Sequence, residues 1–165
     1  MVLFASFKTI KVQAQAVDIG GVSEVTGYAQ IKRLGSSSSS LNYDADLDFS
    51  IQTNDEAVTT NGRMAIKFLD DSTVKLTEHS QLTIDKYIYD PDPSKSQMAL
   101  TFGLGTARFI SGKLGKIDRK NISLKTPTAD IAIRGTDFTA TVDELGRSLI
   151  ILLPDKYGVS SGEIE

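Results

Sequence analysis

Cysteine and tryptophan are absent from the sequence, and histidine occurs once among its 165 residues. Without cysteine, the chain can form neither a disulfide framework nor a thiolate metal site. A small-ligand or glycan-binding domain needs aromatic surfaces for stacking, and without tryptophan the candidates are tyrosines. These candidates, Tyr28, Tyr43, Tyr87 and Tyr89, form no clear cluster, and half-buried strands account for them without a ligand. We expect no cofactor.

Concentrated positive charge and long apolar runs are also missing. The net charge is −3 and the pI is about 5.2, whereas nucleic-acid binding needs a cationic surface that replaces phosphate counterions. The longest apolar run, residues 149–153, is far shorter than the ~20 residues that span a bilayer. Residues 2–5 are apolar, but they are too few for a secretory leader and no positive residue precedes them. We therefore expect no nucleic-acid partner and no direct membrane span.

Apolar and polar residues alternate with a period of two, which indicates β-strands. The clearest example is a pair of alternating runs, residues 63–68 and 73–77, joined by the polar turn at residues 70–72. This pattern predicts a β-hairpin with one face on a core. A second hairpin is expected from residues 136–142 and 147–153, which flank another polar turn.

Short β-rich runs recur along the chain, and no long segment has an amphipathic helical stripe. Gly27 is expected to place a bulge or a break in the run at residues 22–34. The pattern predicts an all-β fold, a sandwich, barrel or β-roll of many short strands. We expect an N-terminal strand or arm at residues 1–19, one β domain at residues 20–165, and a mobile serine loop at residues 36–40. The further runs are residues 22–34, 47–51, 82–89, 98–102, 106–111, 121–125 and 131–134.

A catalytic triad is the first enzymatic arrangement to consider, because His79 stands between Glu78 and Ser80. A triad needs a base close to a hydroxyl and oriented by a third group. Neighbouring residues on a strand point to opposite faces, so these three side chains cannot form that array among themselves. No nucleophile-elbow sequence is present either. We expect His79 to be a turn or surface residue, the chain to have no catalytic residue, and the protein not to be an enzyme.

Alternate carboxylates at Asp44, Asp46 and Asp48 are the strongest metal-like pattern. A calcium loop needs glycine for its sharp turn, and Phe49 stands at that position, so the pattern fails. On an extended strand the three aspartates would share the solvent face, while Leu47 and Phe49 would face inward. We expect no metal site, and a weak cation between these aspartates stays an open alternative.

Two glycine-containing segments are interpreted as bends. Gly103 and Gly105 lack the third glycine and the following helix of a phosphate-binding loop, so we interpret them as turn residues between two strands. Gly135 lies between two strand-like runs and suggests a tight bend, with Arg134 and Asp137 placed to pair locally. This pair is predicted to act as an internal structural clamp, and a ligand site is the alternative.

Two stretches of the sequence, residues 55–72 and 126–138, contain spaced motifs in a fixed order. Together with weaker matches between them, these motifs resemble those of the FecR family over about residues 20–155. One stretch is similar to the family pattern "D-x-x-x-T, glycine, F-x-D-x-S", and a later one to "TP-x-A-x-x-x-x-RGT-x-F". Several motifs in the right order are far more specific than any one of them. The matching residues, expected to be structural, are Asp55, Thr59, Phe68, Asp70, Ser72, Thr126, Pro127, Ala129, Arg134, Gly135, Thr136 and Phe138.

The resemblance implies an all-β domain of β-solenoid or β-sandwich type without enzymatic activity. The best-known members lie in the periplasm on a transmembrane anchor, receive a signal from an outer-membrane iron-siderophore receptor and pass it to a cytoplasmic sigma factor. FecR-like domains also occur detached from this layout, in proteins of marine bacteriophages.

Two functions follow as hypotheses, and both have protein partners. The first is an interaction or structural module of a larger assembly, such as a phage virion, through self-association or contact with other subunits. It would place the protein in the virion, or in the host cytoplasm during assembly. The alternative is the periplasmic signalling region of a FecR-type transmembrane regulator of iron-siderophore uptake, with its anchor outside this chain.

Overall fold

Strands dominate the computed structural model, which describes residues 17–35, 39–114, 121–134, 137–154 and 163–164. A short 3-10 turn spans Pro93–Lys95. Among the described residues, no helix is long and apolar enough to cross a membrane. The strands are β1 Asp18–Thr26, β2 Ala29–Leu34, β3 Ser40–Asp44, β4 Ser50–Gln52, β5 Glu56–Thr59, β6 Arg63–Phe68, β7 Thr73–Leu76, β8 Gln81–Ile88, β9 Gln97–Ile110, β10 Ile122–Lys125, β11 Asp130–Arg134, β12 Phe138–Val142, β13 Ser148–Leu152 and β14 Glu163–Ile164.

The strands form two sheets that share the long strand β9. Sheet 1 has the order β4-β1-β6-β7-β9-β12-β13. Sheet 2 has the order β3-β2-β5-β8-β9-β10-β11-β14. Within the described part of the chain, the β9–β10 pair is parallel and all other pairs are antiparallel. Stacked solenoid coils would pair in parallel, so this pattern fits the sandwich-type form of the predicted all-β domain.

Strand β9 passes from sheet 2 to sheet 1 at Gly105. Its first half, up to Leu104, pairs with β8, and its second half pairs with β7 and β12. Gly105 has a φ of +92°, and a Cβ atom there would lie 2.6 Å from the carbonyl oxygen of His79. The predicted turn between two strands at Gly103 and Gly105 is therefore wrong. A glycine at positive φ redirects one continuous strand instead.

One hydrophobic core lies between the sheets, which explains the alternation in the sequence. Buried side chains of both sheets join a single cluster, including Ile66 of β6 and Ile84 of β8. The stacked rings of Phe68 in sheet 1 and Tyr87 in sheet 2, with centroids 5.4 Å apart, connect the two layers directly. Because successive strand residues face opposite sides, one half of each alternating run is buried here and the other half faces outward.

Several expected elements are confirmed. The hairpin of β6 and β7 has the predicted antiparallel pairing, as does the hairpin of β12 and β13. The run around Gly27 is divided into β1 and β2, and Gly27 lies at positive φ between them. Residues 1–16 and 36–38, which hold most of the predicted arm and of the serine loop, lie outside the described residues. β1 begins at Asp18 and Ile19 is buried in the core, so the domain division after residue 19 stays a prediction.

The predicted strand at residues 47–51 is wrong in its first half. Leu47 and Asp48 form a turn, and Asp48 has a φ of +63°. Leu47 is 61% exposed instead of facing inward, while Ala45 takes the buried position. Aspartate tolerates the left-handed conformation, which alternation alone does not reveal.

Candidate functional site

A buried carboxylate, Asp70, joins the β6–β7 turn to two other parts of the fold. Its Oδ1 accepts a hydrogen bond from the Ser72 hydroxyl at 2.6 Å and one from the Tyr87 hydroxyl at 3.2 Å. Its Oδ2 accepts one from the Leu114 backbone N–H at 3.2 Å. Asp70 and Ser72 are both fully buried. Charge-assisted hydrogen bonds of this kind are the strong ones, so the carboxylate holds the turn, β8 and the segment after β9 together.

Tyr87 completes this buried cluster from the opposite sheet. Its hydroxyl oxygen also accepts a hydrogen bond from the Asp70 backbone N–H at 2.9 Å. Burial, followed by the neighbouring charge of Asp70, raises the pKa of Tyr87 well above its usual range. The hydroxyl therefore stays protonated and available as a donor. Gly112 lies so close to the β6–β7 turn that an added Cβ would meet the Asp70 carbonyl oxygen at 2.4 Å.

A second buried carboxylate, Asp55, forms an ion pair with Arg33 across the paired strands β2 and β5 of sheet 2. The guanidinium binds the carboxylate through two hydrogen bonds, Nε to Oδ1 and Nη2 to Oδ2, each 2.7 Å long. Nη2 also donates to the Ser50 carbonyl oxygen at 2.8 Å. The hydrogen bonds to Asp55 raise the pKa of Arg33, with burial acting in the opposite direction. The guanidinium carbon lies 5.8 Å from the Tyr43 ring centroid and 5.4 Å from that of Phe49.

Thr59 fixes the third buried polar contact of the same motif. Its hydroxyl donates to the Thr77 carbonyl oxygen at 2.6 Å and accepts from the Ser80 backbone N–H at 2.9 Å. The Ser80 hydroxyl in turn accepts from the Thr106 backbone N–H at 3.1 Å. These bonds tie the end of β5 to the β7–β8 turn and to the crossing point of β9.

The structure describes part of the later motif, which runs from Thr126 to Phe138. Thr126 closes the turn between β10 and β11: its backbone N–H donates to the Ala129 carbonyl oxygen at 2.8 Å, and its hydroxyl accepts from the Ala129 N–H at 3.1 Å. Pro127 is exposed in that turn. Phe138 is buried and stacks on Phe109, with ring centroids 5.1 Å apart.

Of the two residues predicted to form a clamp at the Gly135 bend, the structure describes the side chain of Asp137 alone. Arg134 is placed in β11 by its backbone, while its side chain, Gly135 and Thr136 lie outside the described residues. Asp137 forms a 3.5 Å ion pair with Arg108 and accepts a hydrogen bond from the Ser111 backbone N–H. The Arg134–Asp137 pair therefore stays a prediction.

The candidate catalytic residue His79 and the candidate metal ligand Asp44 lie in separate parts of the described structure. His79 lies in the β7–β8 turn with a φ of +54°, as a turn histidine would. Asp44 accepts a hydrogen bond from the Gln30 side chain at 3.3 Å. Among the residues that the structure describes, no group of three or more His, Cys, Asp or Glu could hold a metal ion. In the same set, every buried side-chain nitrogen or oxygen has a hydrogen-bond partner.

Two outer surfaces remain as candidates for contact with other molecules. At one end of the sandwich, an open groove of about 540 Å³ includes the exposed apolar residues Val17, Leu69, Ile88 and Tyr89 in its lining. On the outer face of sheet 1, β13 exposes the aliphatic side chains of Leu149 and Ile151. Apolar side chains grouped on a surface are typical of protein contact sites. We call these surfaces the end groove and the β13 edge.

Sequence reasoning missed Arg33 and the role of Tyr87, which it considered only as a candidate stacking surface. Arg33 is 22 positions before Asp55, and Tyr87 is 17 positions after Asp70. Neither spacing has a local signal, because Arg33 and Asp55 meet across the paired strands β2 and β5, and Tyr87 reaches Asp70 from the opposite sheet. The available clue is chemical: Asp55 and Asp70 are expected to be structural, and a carboxylate that is buried for a structural role requires a cation or several donors.

With this geometry established, comparison with known proteins identifies the family. The model of the FecR family, described as FecR protein, matches residues 54–153. This range covers more than half of the chain and contains every motif residue of the sequence analysis, and the chain belongs to the FecR family. No curated protein and no solved structure shows significant similarity to it.

The family assignment decides between the two functional hypotheses in coarse terms. FecR is a regulatory, non-enzymatic family of signalling proteins that act through other proteins. This supports the signalling alternative better than the virion hypothesis, for which neither the structure nor the comparisons give support.

Proposed function

We propose that this chain is the periplasmic signalling region of a FecR-type regulator, which receives its signal by contact with another protein. The observation that carries the proposal is the family match over residues 54–153. In the full pathway, an outer-membrane receptor for iron-siderophores would supply the signal. A membrane anchor outside this chain would connect the domain to a cytoplasmic sigma factor.

The interior of the domain supports a role as a rigid binding module. Asp70 and Asp55 are buried with their hydrogen bonds satisfied inside the fold. Asp70 accepts from Tyr87 of the opposite sheet and Asp55 accepts from the Gln52 backbone N–H of β4, so both carboxylates connect the sheets. A fully satisfied buried polar network rigidifies a core. Such a core holds a surface in one shape, which limits the entropy lost when a partner binds.

The end groove is the surface that we assign to the partner protein. Its exposed apolar side chains include Leu69 at 56%, Ile88 at 41% and Tyr89 at 42% exposure. Burial of such side chains by a partner chain contributes favourably to binding, at roughly 25 cal/mol per Å² of apolar surface. A tyrosine at such a site combines a large apolar ring with a hydroxyl that can form hydrogen bonds.

The test is a comparison of transcripts in the native cell with and without the coding region for residues 54–153. The proposal predicts that a set of genes under one alternative sigma factor changes its expression, and that the intact gene restores the pattern. Complementation with Tyr89→Lys should restore it only in part. The control Leu145→Lys, at an exposed leucine of the β12–β13 turn, should restore it fully. Unchanged transcripts after the deletion would overturn the proposal.

A further inference from the structure

The β13 edge leaves one side of a strand available for pairing. Among the described strands, β13 pairs with β12 alone. On its outward face, Leu149 is 58% and Ile151 is 50% exposed. An edge strand that presents free backbone groups beside exposed aliphatic side chains is a template for pairing with another chain.

The pairing of β12 with β13 determines which backbone groups face the open side. The Asp143 N–H donates to the Arg147 carbonyl oxygen at 3.1 Å, and the Leu153 N–H donates to the Asp137 carbonyl oxygen at 2.8 Å. In an antiparallel pair, hydrogen-bonded and non-hydrogen-bonded positions alternate, so the odd-numbered residues of β13 direct their groups toward β12. The residues whose N–H and C=O groups face the open side are Ser148, Ile150 and Leu152.

We propose that β13 pairs antiparallel with β13 of a second copy of the chain, around a two-fold axis at Ile150. This pairing joins the two copies of sheet 1 into one continuous sheet. Ile150 then forms a hydrogen-bonded pair with its symmetry mate, and Ser148 forms one with Leu152 of the second copy. Ser148, Ile150 and Leu152 each direct one N–H and one C=O group outward, and in this register all six groups of each strand form hydrogen bonds with the other copy.

The same register places the exposed aliphatic side chains against each other. Leu149 lies opposite Ile151 of the second copy in a non-hydrogen-bonded pair, where cross-strand side chains approach most closely. The pair occurs twice because of the two-fold axis. The adjacent registers are worse, since one brings Pro154, which has no N–H, into the ladder, and the other brings in Gly146 of the turn.

A second copy fits this edge because the strand is complementary to itself. No charged residue occurs from Ser148 to Leu153, so antiparallel self-pairing places no like charges opposite each other. The other described edge strands are less suited to self-pairing: β4 has only three residues, β3 ends at the charged residue Asp44, and β14 has two residues, of which Glu163 is charged. A five-residue strand buries less than the ~1,200–2,000 Å² of a stable interface, so the dimer is weak and depends on concentration.

The first test is sedimentation equilibrium of the full chain over a wide concentration range. The expected result is a monomer–dimer equilibrium, which Ile151→Lys weakens at least about tenfold because both copies lose an apolar contact and gain a charge. The control Thr73→Lys adds the same charge to the outward face of β7, three strands away, and should leave the dimer unchanged.

The second test checks the register by disulfide formation, which is possible because the chain has no native cysteine. Oxidation of a mixture of Leu149→Cys and Ile151→Cys chains should give a covalent heterodimer. Each variant alone should not, because residues diagonal across the ladder are about 7–8 Å apart, at or beyond the reach of a disulfide. A chain that is monomeric at all concentrations, or single variants that crosslink as fast as the mixture, would overturn the proposal.

Discussion

Replacing Asp70 with asparagine tests the buried polar network, because the change keeps the side-chain shape and removes the charge. If the amide oxygen still accepts from Ser72, the amide NH₂ faces the Leu114 N–H, and this donor loses its acceptor. An unsatisfied buried donor costs about 1–3 kcal/mol, and the bonds that remain lose their charge assistance. We therefore expect Asp70→Asn to lower the free energy of unfolding by about 2–4 kcal/mol.

The matched control is Asp71→Asn, one residue further along the same turn. Asp71 is exposed, pairs with Lys67 at 3.4 Å and with Lys113 at 2.8 Å, and has a φ of +67° that asparagine tolerates. Exposed ion pairs contribute little, so this variant should melt close to the wild type. Calorimetry should show Asp70→Asn melting roughly 4–16 °C lower, since about 1 kcal/mol shifts the melting temperature by about 2–4 °C at this size. Equal melting temperatures for the two variants would refute the reasoning.

Three further predictions concern the other parts of the interior. Arg33→Ala leaves the Asp55 carboxylate buried without its cation, so urea unfolding should show a loss of about 3–5 kcal/mol, and a loss below about 1 kcal/mol would contradict the ion-pair account. Gly105→Ala should destabilise the fold by at least about 2 kcal/mol in the same assay, through its positive φ and the close backbone of the neighbouring turn, whereas Gly103→Ala has room and should be nearly neutral. Because the pKa of Tyr87 is raised in the folded chain, only the unfolded chain loses the phenolic proton near pH ~10. The contribution of Tyr87 to the free energy of unfolding is therefore complete below that pH and is lost as the pH rises above it. Tyr87→Phe should flatten this alkaline decline, and an unchanged pH profile would contradict it.

The strands and the family motifs could be predicted because their signals are local. Alternation over residues 63–68 indicates the buried face of β6 directly, and the polar turn after it fixes the hairpin. Phe68 and Phe138 were expected to be structural, and both are buried against another aromatic ring. Their outward neighbours follow from the same period of two.

The crossing of β9 and the partners of the buried carboxylates could not be predicted from local patterns. Gly105 looks the same in the sequence whether it ends a strand or redirects one, and only the pairing with β7 and β12 distinguishes these cases. The Arg33–Asp55 contact depends on the register in which β2 pairs with β5, far apart in the sequence. Such long-range packing follows from the whole set of strands, which no single stretch of sequence determines.

We propose that the domain receives its signal on the periplasmic side of the membrane, and its position in the native cell tests this proposal most directly. The measurement is protease accessibility of the protein, detected by an antibody against the domain, in whole cells, in spheroplasts and in lysed spheroplasts. We expect the domain to be protected in whole cells and cleaved in spheroplasts, while a cytoplasmic marker stays intact. Protection in spheroplasts with cleavage only after lysis, or sedimentation of the protein with a virus particle, would contradict it.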